Sequence, residues 1–233
     1  MKGQALKRLA SLGAVKVQAR LVDAQVKAAA LHGRFPTLRL GRFVVVAAAQ
    51  AKRAKLFKGA WPIVLVQGQA FGTGLHESTR LMLGELQRLK PQGLRVLDIG
   101  AGSGILGFAS LHLGAESVTC VEMESAACAE LRENRSLNGV ASRRLPVVCG
   151  KFPLARLKGK RWPLVLGNLV TPVLTALMPR LAAQVAAHGR LLCSGIHTRA
   201  ERDAVTRAAQ KSGLKLRRAA VLKQWNVLCF AKA

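Results

Sequence analysis

The feature that most constrains this chain is an apolar strand that runs directly into a glycine loop and then into a helix. It reads Val96-Leu97-Asp98-Ile99-Gly100-Ala101-Gly102-Ser103-Gly104. Glycines let the backbone turn tightly and approach a ligand closely, and the following helix start offers unpaired N–H groups to an anion. A strand that feeds a crossover helix in this way belongs in a parallel sheet. The segments after Pro91 agree with that reading. Residues 94–99 read as a strand, 105–113 as a helix closed by Gly114, 118–122 as a strand, 125–137 as a helix and 146–149 as a strand. A strand at 164–166, a helix at 172–188, a strand at 190–194 and a helix at 199–212 follow, then strands at 214–222 and 225–231. Only Lys223 and Gln224 separate the last two strands, too few for a crossover, so they pair as an antiparallel hairpin. The expected fold is α/β, with a mostly parallel seven-stranded sheet, a C-terminal antiparallel hairpin and helices on both faces.

Upstream of this unit the pattern differs. Residues 38–46 read as strand, turn at Gly41, strand, followed by a basic loop with Lys52, Arg53, Lys55 and Lys58. An apolar run at 61–66 leads into a glycine-bearing loop at 67–76, and 79–89 shows helical spacing of Leu81, Leu83 and Leu86 before Pro91. The first 35 residues are rich in Ala, Leu, Lys and Arg, which fits a basic amphipathic helix over 1–20 and also the composition of an organelle transit peptide. The division drawn from this is a basic N-terminal segment, 1–36, and a catalytic unit, 37–233.

Charge separates these regions further. The formal net charge is +26, and it is uneven: residues 1–60 hold 13 basic side chains and one acid, while 141–233 hold 18 and two. Residues 61–140 carry six basic and eight acidic residues. The chemistry is therefore expected in the near-neutral middle, and contact with a polyanionic partner in the basic flanks. No apolar run reaches the roughly 18 residues of a membrane helix. The five cysteines form no CxxC pair and sit in or beside apolar runs, so they read as small core residues of a reducing compartment, with no metal-ligand set.

Glu122 stands 22 residues after Gly100 at the end of the next strand, where an acid can accept both hydroxyls of a ribose. Two cofactor classes compete for such a loop. The nicotinamide fingerprint begun at Gly100 fails, because its third position is Ile105, and the copy at 102–107 begins two residues beyond the strand end. Asp98 followed by Gly100, Gly102 and Gly104 is similar instead to the loop that holds S-adenosyl-L-methionine in class I methyltransferases.

A second motif narrows the resemblance. Ala70-Phe71-Gly72-Thr73-Gly74-Leu75-His76-Glu77-Ser78-Thr79 resembles the AFGTGxHxTT signature of the ribosomal protein L11 methyltransferases (PrmA type). Phe35-Pro36, Leu38-Arg39-Leu40-Gly41, Glu122-Met123-Glu124, Asn134, Asn138-Gly139-Val140, Gly167-Asn168-Leu169, Ser194-Gly195-Ile196 and Trp225 resemble further family segments in order. Departures stand beside these matches: Ala47-Ala48-Ala49 replaces Pro-Pro-Trp, Glu122 replaces the usual Asp, and Pro163 stands where the family tends to have Asp. The family has a ferredoxin-like substrate-recognition domain where this chain has its short basic segment.

What the resemblance implies is a Rossmann-like methyltransferase that uses S-adenosyl-L-methionine on lysine or N-terminal amino groups of a ribosomal or other translation protein. It implies cofactor contacts from Gly100, Gly102, Gly104, Glu122, Thr79, Asn168, Phe71, Thr73 and Gly74. Phe71 is expected as an apolar lid and His76 as a polar organiser of the loop, with a catalytic role for His76 left open. Asn168, at a strand's carboxyl edge, is expected to accept a hydrogen bond from the attacking amine. Enzymes that methylate planar nitrogens often carry Asn-Pro-Pro-Tyr there, and this chain has Asn168-Leu169-Val170-Thr171. An RNA methyltransferase, or an RNA-binding factor that keeps the fold without turnover, is the alternative. A cytoplasmic monomer that touches ribosomal RNA through its basic flanks is the expected setting.

Overall fold

The computed structural model describes residues 37–233 except 54–55, 67, 69 and 153–156. The expectations for 1–36, a helix over 1–20 among them, lie outside the described residues.

A small sheet comes first. Strands β1 (Leu38–Leu40) and β2 (Phe43–Ala47) form the expected antiparallel hairpin, and Gly41 takes φ +67° in its turn. A 3-10 helix, Ala48–Arg53, occupies part of the expected basic loop. The apolar run becomes β3 (Trp61–Leu65), parallel to β2 with Phe43 opposite Trp61. Beyond it come α1 (Glu77–Leu89), β4 (Arg95–Ile99), α2 (Ile105–His112), β5 (Ser117–Glu122), α3 (Ser125–Leu137), β6 (Val147–Cys149) and β7 (Trp162–Asn168). The chain ends with α4 (Thr171–Gln184), β8 (Val185–Ile196), α5 (Arg199–Lys211), β9 (Leu214–Leu222) and β10 (Trp225–Lys232).

The main sheet has seven strands in the order β6-β5-β4-β7-β8-β10-β9. All neighbours run parallel except β10, which lies antiparallel between β8 and β9. Chain order reverses at β4, which has β5 on one side and β7 on the other, and ligands of open α/β sheets bind at such a switch point. The glycine loop leaves β4 there.

Alternation along β4 divides the core. Val96 joins Met82, Leu83, Leu86, Phe108 and Leu131 under α1, α2 and α3. Leu97 and Ile99 join Leu174, Met178, Leu181, Val205 and Phe230 under α4 and α5. Helix α2 lies close to the sheet because a Cβ on Gly107 would already stand 3.1 Å from the Cys120 sulfur. Strand β9 forms one outer edge, with Lys215, Arg217 and Arg218 exposed along it.

Three expectations need correction. The helix drawn over 172–188 ends at Gln184, and β8 begins at once, because β-branched Val185 is extended and pairs with Trp162. The register shifts between Trp162 and Leu164, at Pro163, which has no N–H for a ladder. The first residues of α1 precede Thr79, since His76 is the N-cap and its ring nitrogen accepts from Ser78 N–H at 3.2 Å. Cys128 and Cys149 are joined as a disulfide, with Cα atoms 6.1 Å apart. The sheet order sets Cys149 opposite Glu122, and the first turn of α3 follows that same strand end, so topology brings together two cysteines whose spacing in sequence gave no sign of pairing. Cys120, Cys193 and Cys229 are buried and unpaired, as expected of core thiols.

The edge of β3 is satisfied by side chains. Asn138 accepts from Val64 N–H at 2.9 Å and donates to Val64 O at 2.6 Å; Asn134, one turn earlier, accepts from Val66 N–H at 2.8 Å and donates to Ser103 O at 3.0 Å. Asn134 is fully buried, so replacing it by Ala leaves the buried Ser103 carbonyl and the half-buried Val66 N–H without their partner. We expect Asn134→Ala to lower unfolding free energy by about 3 kcal/mol, measured by urea denaturation with the slope unchanged.

Candidate active site

The two sequence motifs meet at the carboxyl end of β4. Ser103 N–H donates to Phe71 O at 2.9 Å, and the Ser103 hydroxyl donates to Gly72 O at 2.7 Å. The contact is so close that a Cβ on Gly102 would run into the Phe71 carbonyl. Gly72 and Gly74 take φ of +99° and +86°, and Gly100, Gly102 and Gly104 take +71°, +53° and +84°. Glycine is therefore required here by conformation as well as by space.

Glu122 closes the other side of the loop. Its carboxylate accepts from Gly102 N–H at 2.9 Å and from the Met123 and Glu124 N–H groups at 2.7 and 3.1 Å. The extra methylene relative to Asp is thus spent on reaching back to the loop, which fixes the carboxylate in place. Asp98 stands on the same face of the sheet and is fully buried, and neither of its oxygens has a hydrogen-bond partner among the described residues. Burial first, and the Glu122 carboxylate second, raise its carboxyl from 3.8 to about 7. A buried acid without a partner, beneath a loop built to approach a ligand, suits a ligand that brings positive charge.

The neighbouring part of the carboxyl edge is framed by β7 and β8. Asn168 ends β7 opposite Ser194; its amide nitrogen lies 3.4 Å from the Thr79 hydroxyl, and its buried carbonyl oxygen has no partner among the described residues. Leu169 then wedges between two glycines: a Cβ on Gly100 would strike its side chain, and one on Gly195 would strike its carbonyl. Thr79 is fully buried, so the structure places its hydroxyl under Asn168. Phe71 is 55% exposed and meets His76 edge-on at 5.5 Å, while His76 meets Trp225 at 4.3 Å. His76 is thereby both a helix cap and part of a row of rings. Thr73 is half-buried in the loop, and Gly74 O accepts from Arg80 at 3.3 Å.

Sequence reasoning overlooked Ser103, the strap between the motifs, because a serine inside a glycine loop reads as a small turn residue. It also overlooked His197, whose ring stands 4.9 Å from Trp225, and Lys223, whose ammonium pairs with Glu77 at 2.5 Å. No local pattern marks either residue; the strand order brings them to this edge.

The family model described as ribosomal protein L11 methyltransferase (PrmA) matches residues 3–233. The chain belongs to this family. A ribosomal protein L11 methyltransferase from Symbiobacterium thermophilum is 36% identical over 202 residues, 86% of this chain and 64% of that protein. One from Parasynechococcus marenigrum is 44% identical over 131 residues, 55% of this chain and 45% of that protein. The chain thus spans between 45% and 64% of the length of these two relatives. Among solved structures, a ribosomal protein L11 methylase from Lactobacillus delbrueckii subsp. bulgaricus superimposes with a TM-score of 0.75 at 25% identity, covering 85% of this chain and all of that one. The family's methyltransferase fold is therefore the fold of this chain.

The Asp98 carboxyl supplies a pH signature. Its pKa is raised on folding, so it stabilises the fold most fully below its ordinary value, and that contribution is lost as pH rises through the folded value. In the cofactor-free protein, the melting temperature of wild type relative to Asp98→Asn should fall from about pH 4 to about pH 7, measured by calorimetry at matched ionic strength.

Proposed function

We propose that this chain transfers a methyl group from S-adenosyl-L-methionine to lysine or N-terminal amino groups of ribosomal protein L11 or a related translation protein. The observation that carries the reading is the Asn168 carbonyl oxygen, buried without a partner at the carboxyl edge of the sheet. The orphaned Asp98 carboxylate and the positive-φ glycine loop fit a cofactor with a cationic methionine part. Gly100, Gly102 and Gly104 would hold that part, Glu122 the ribose, and the strap of Phe71, Thr73 and Gly74 would cover it beside Thr79.

When bound, the cofactor supplies an electrophilic methyl group on a positive sulfur. The chain's own residues position the nucleophile. Asn168 accepts one N–H of the acceptor amine and turns its lone pair inward, and Thr79 fixes the Asn168 amide. Phe71 and Leu169 exclude water. A lysine with an ordinary pKa near 10.4 must enter neutral, and a dry site beside a positive centre favours the neutral amine. Alignment then carries most of the rate, with no strong base needed. His76, committed to the cap of α1 and to Trp225, organises the loop.

Residues 37–233 form the methyltransferase unit in this reading, acting as a cytoplasmic monomer. The basic flanks would dock it on an RNA-rich particle, so activity on ribosomal particles should fall steeply with salt while cofactor affinity hardly changes. Comparison of label transfer from methyl-labelled cofactor to purified ribosomal proteins and to ribosomal RNA tests the acceptor class; label only in RNA overturns the reading. Asn168→Ala should lower kcat by about a hundredfold with cofactor Kd unchanged. Glu122→Ala should weaken cofactor binding by about tenfold, read by calorimetric titration.

A further inference from the structure

A second feature opens on the catalytic edge. An open cavity of about 430 Å³ lies between the first turn of α5 and the β9–β10 turn, with His197, Arg199, Arg202, Gln224 and Asn226 in its lining. Its floor is built. The Asn226 side-chain amide donates to Ile196 O and His197 O at 3.3 Å each and to Gln224 O at 3.4 Å. Thr198 and Glu201 form a reciprocal cap at the start of α5, with Glu201 accepting from His197 and Thr198 N–H at 2.6 and 3.2 Å.

The charge inventory favours an anion. Glu201 is turned onto those backbone groups, and Lys223 is paired with Glu77. Among the described residues, Arg202 pairs only with the half-exposed Asp203 at 3.5 Å, a contact that solvent screens. Arg199 is exposed and has no carboxylate partner among the described residues.

Position favours a peptide. Asn168 pairs with Ser194 on β8, and Ile196 of β8 pairs with Asn226 on β10. The cavity is therefore two strand spacings from Asn168, roughly 10 Å, which an extended chain covers in about three residues. The intervening Trp225 ring is engaged edge-on by both His76 and His197. Two neighbouring guanidinium groups suit one carboxylate better than a phosphodiester track.

We propose that this cavity anchors an Asp or Glu side chain of the acceptor protein, about three residues from the methylated amine. The proposal rests on the protein-methyltransferase reading for its partner. It makes Arg199 and Arg202 specificity-determining residues outside the methyl-transfer centre.

The test uses the full chain with saturating S-adenosylhomocysteine and two fluorescent peptides, Ala-Glu-Ala-Ala-Lys-Ala and its Gln counterpart. Wild type should bind the Glu peptide about tenfold more tightly, and Arg199→Glu combined with Arg202→Gln should erase that preference while cofactor Kd stays unchanged. With a labelled ribosomal protein as acceptor, the same variant should raise KM with little change in kcat. Equal affinity of wild type for the two peptides, or a preference that survives the substitutions, overturns the proposal. So does a loss confined to ribosomal RNA binding, which would make the cavity a nucleic-acid contact. If wild type labels no ribosomal protein, the functional reading fails, and the peptide comparison still decides the subsite.

Discussion

The site depends on the bonds that Ser103 makes to Phe71 and Gly72. A glycine loop by itself is a flexible turn, and a loop of the Phe-Gly-Thr-Gly type is another. Joined through one backbone N–H and one hydroxyl, each limits the other, and the positive φ angles of both become a single shape. Asn134 extends that shape by holding the Ser103 carbonyl from α3 while gripping β3. The small sheet, the glycine loop after β4 and the Phe71–Gly74 loop are thus one hydrogen-bonded unit, so a change in β3 can reach the candidate site without touching a ligand.

Much of the fold was legible because its signals are local. The glycine loop, the regular alternation of strand and helix, and the two-residue connection between β9 and β10 each carry their own conformational requirement. The end of α4 was not legible: Ala186, Ala187 and His188 suit a helix by propensity, but Val185 pairs with Trp162 and the residues up to Arg190 form a bulge in which His188 takes φ +58°. The disulfide between Cys128 and Cys149 was hidden for a related reason, since sequence spacing does not say that β6 lies beside β5. Within the site, the glycines, Glu122 and Asn168 stood out through residue type and place. Ser103, His197 and Lys223 did not, because each works through a partner that is remote in sequence.

Electrostatics is arranged in two tiers. At the centre, two carboxylates face one side of the sheet; Glu122 is held by three N–H groups and Asp98 by none. That inequality keeps Glu122 fixed and leaves Asp98 responsive to what arrives. Further out, the acids of α1 meet the hairpin: Glu77 pairs with Lys223 in the β9–β10 turn, and Glu85 pairs with Arg218 of β9 beside its own helix neighbour Arg88. The bridges to Lys223 and Arg218 tie the C-terminal hairpin to the helix whose start carries His76.

The outer strand β9 has a further consequence. A nine-residue edge that no described strand pairs, with the exposed side chains of Leu216, Val221 and Leu222, is a template on which another strand could add. Lys215 and Arg217 lie exposed on that same strand, so a second copy offering its own edge would bring like charges into register. Those cations therefore keep copies of the chain apart when it is concentrated, and a variant that neutralised the two would gain a tendency to form ribbons while keeping its fold.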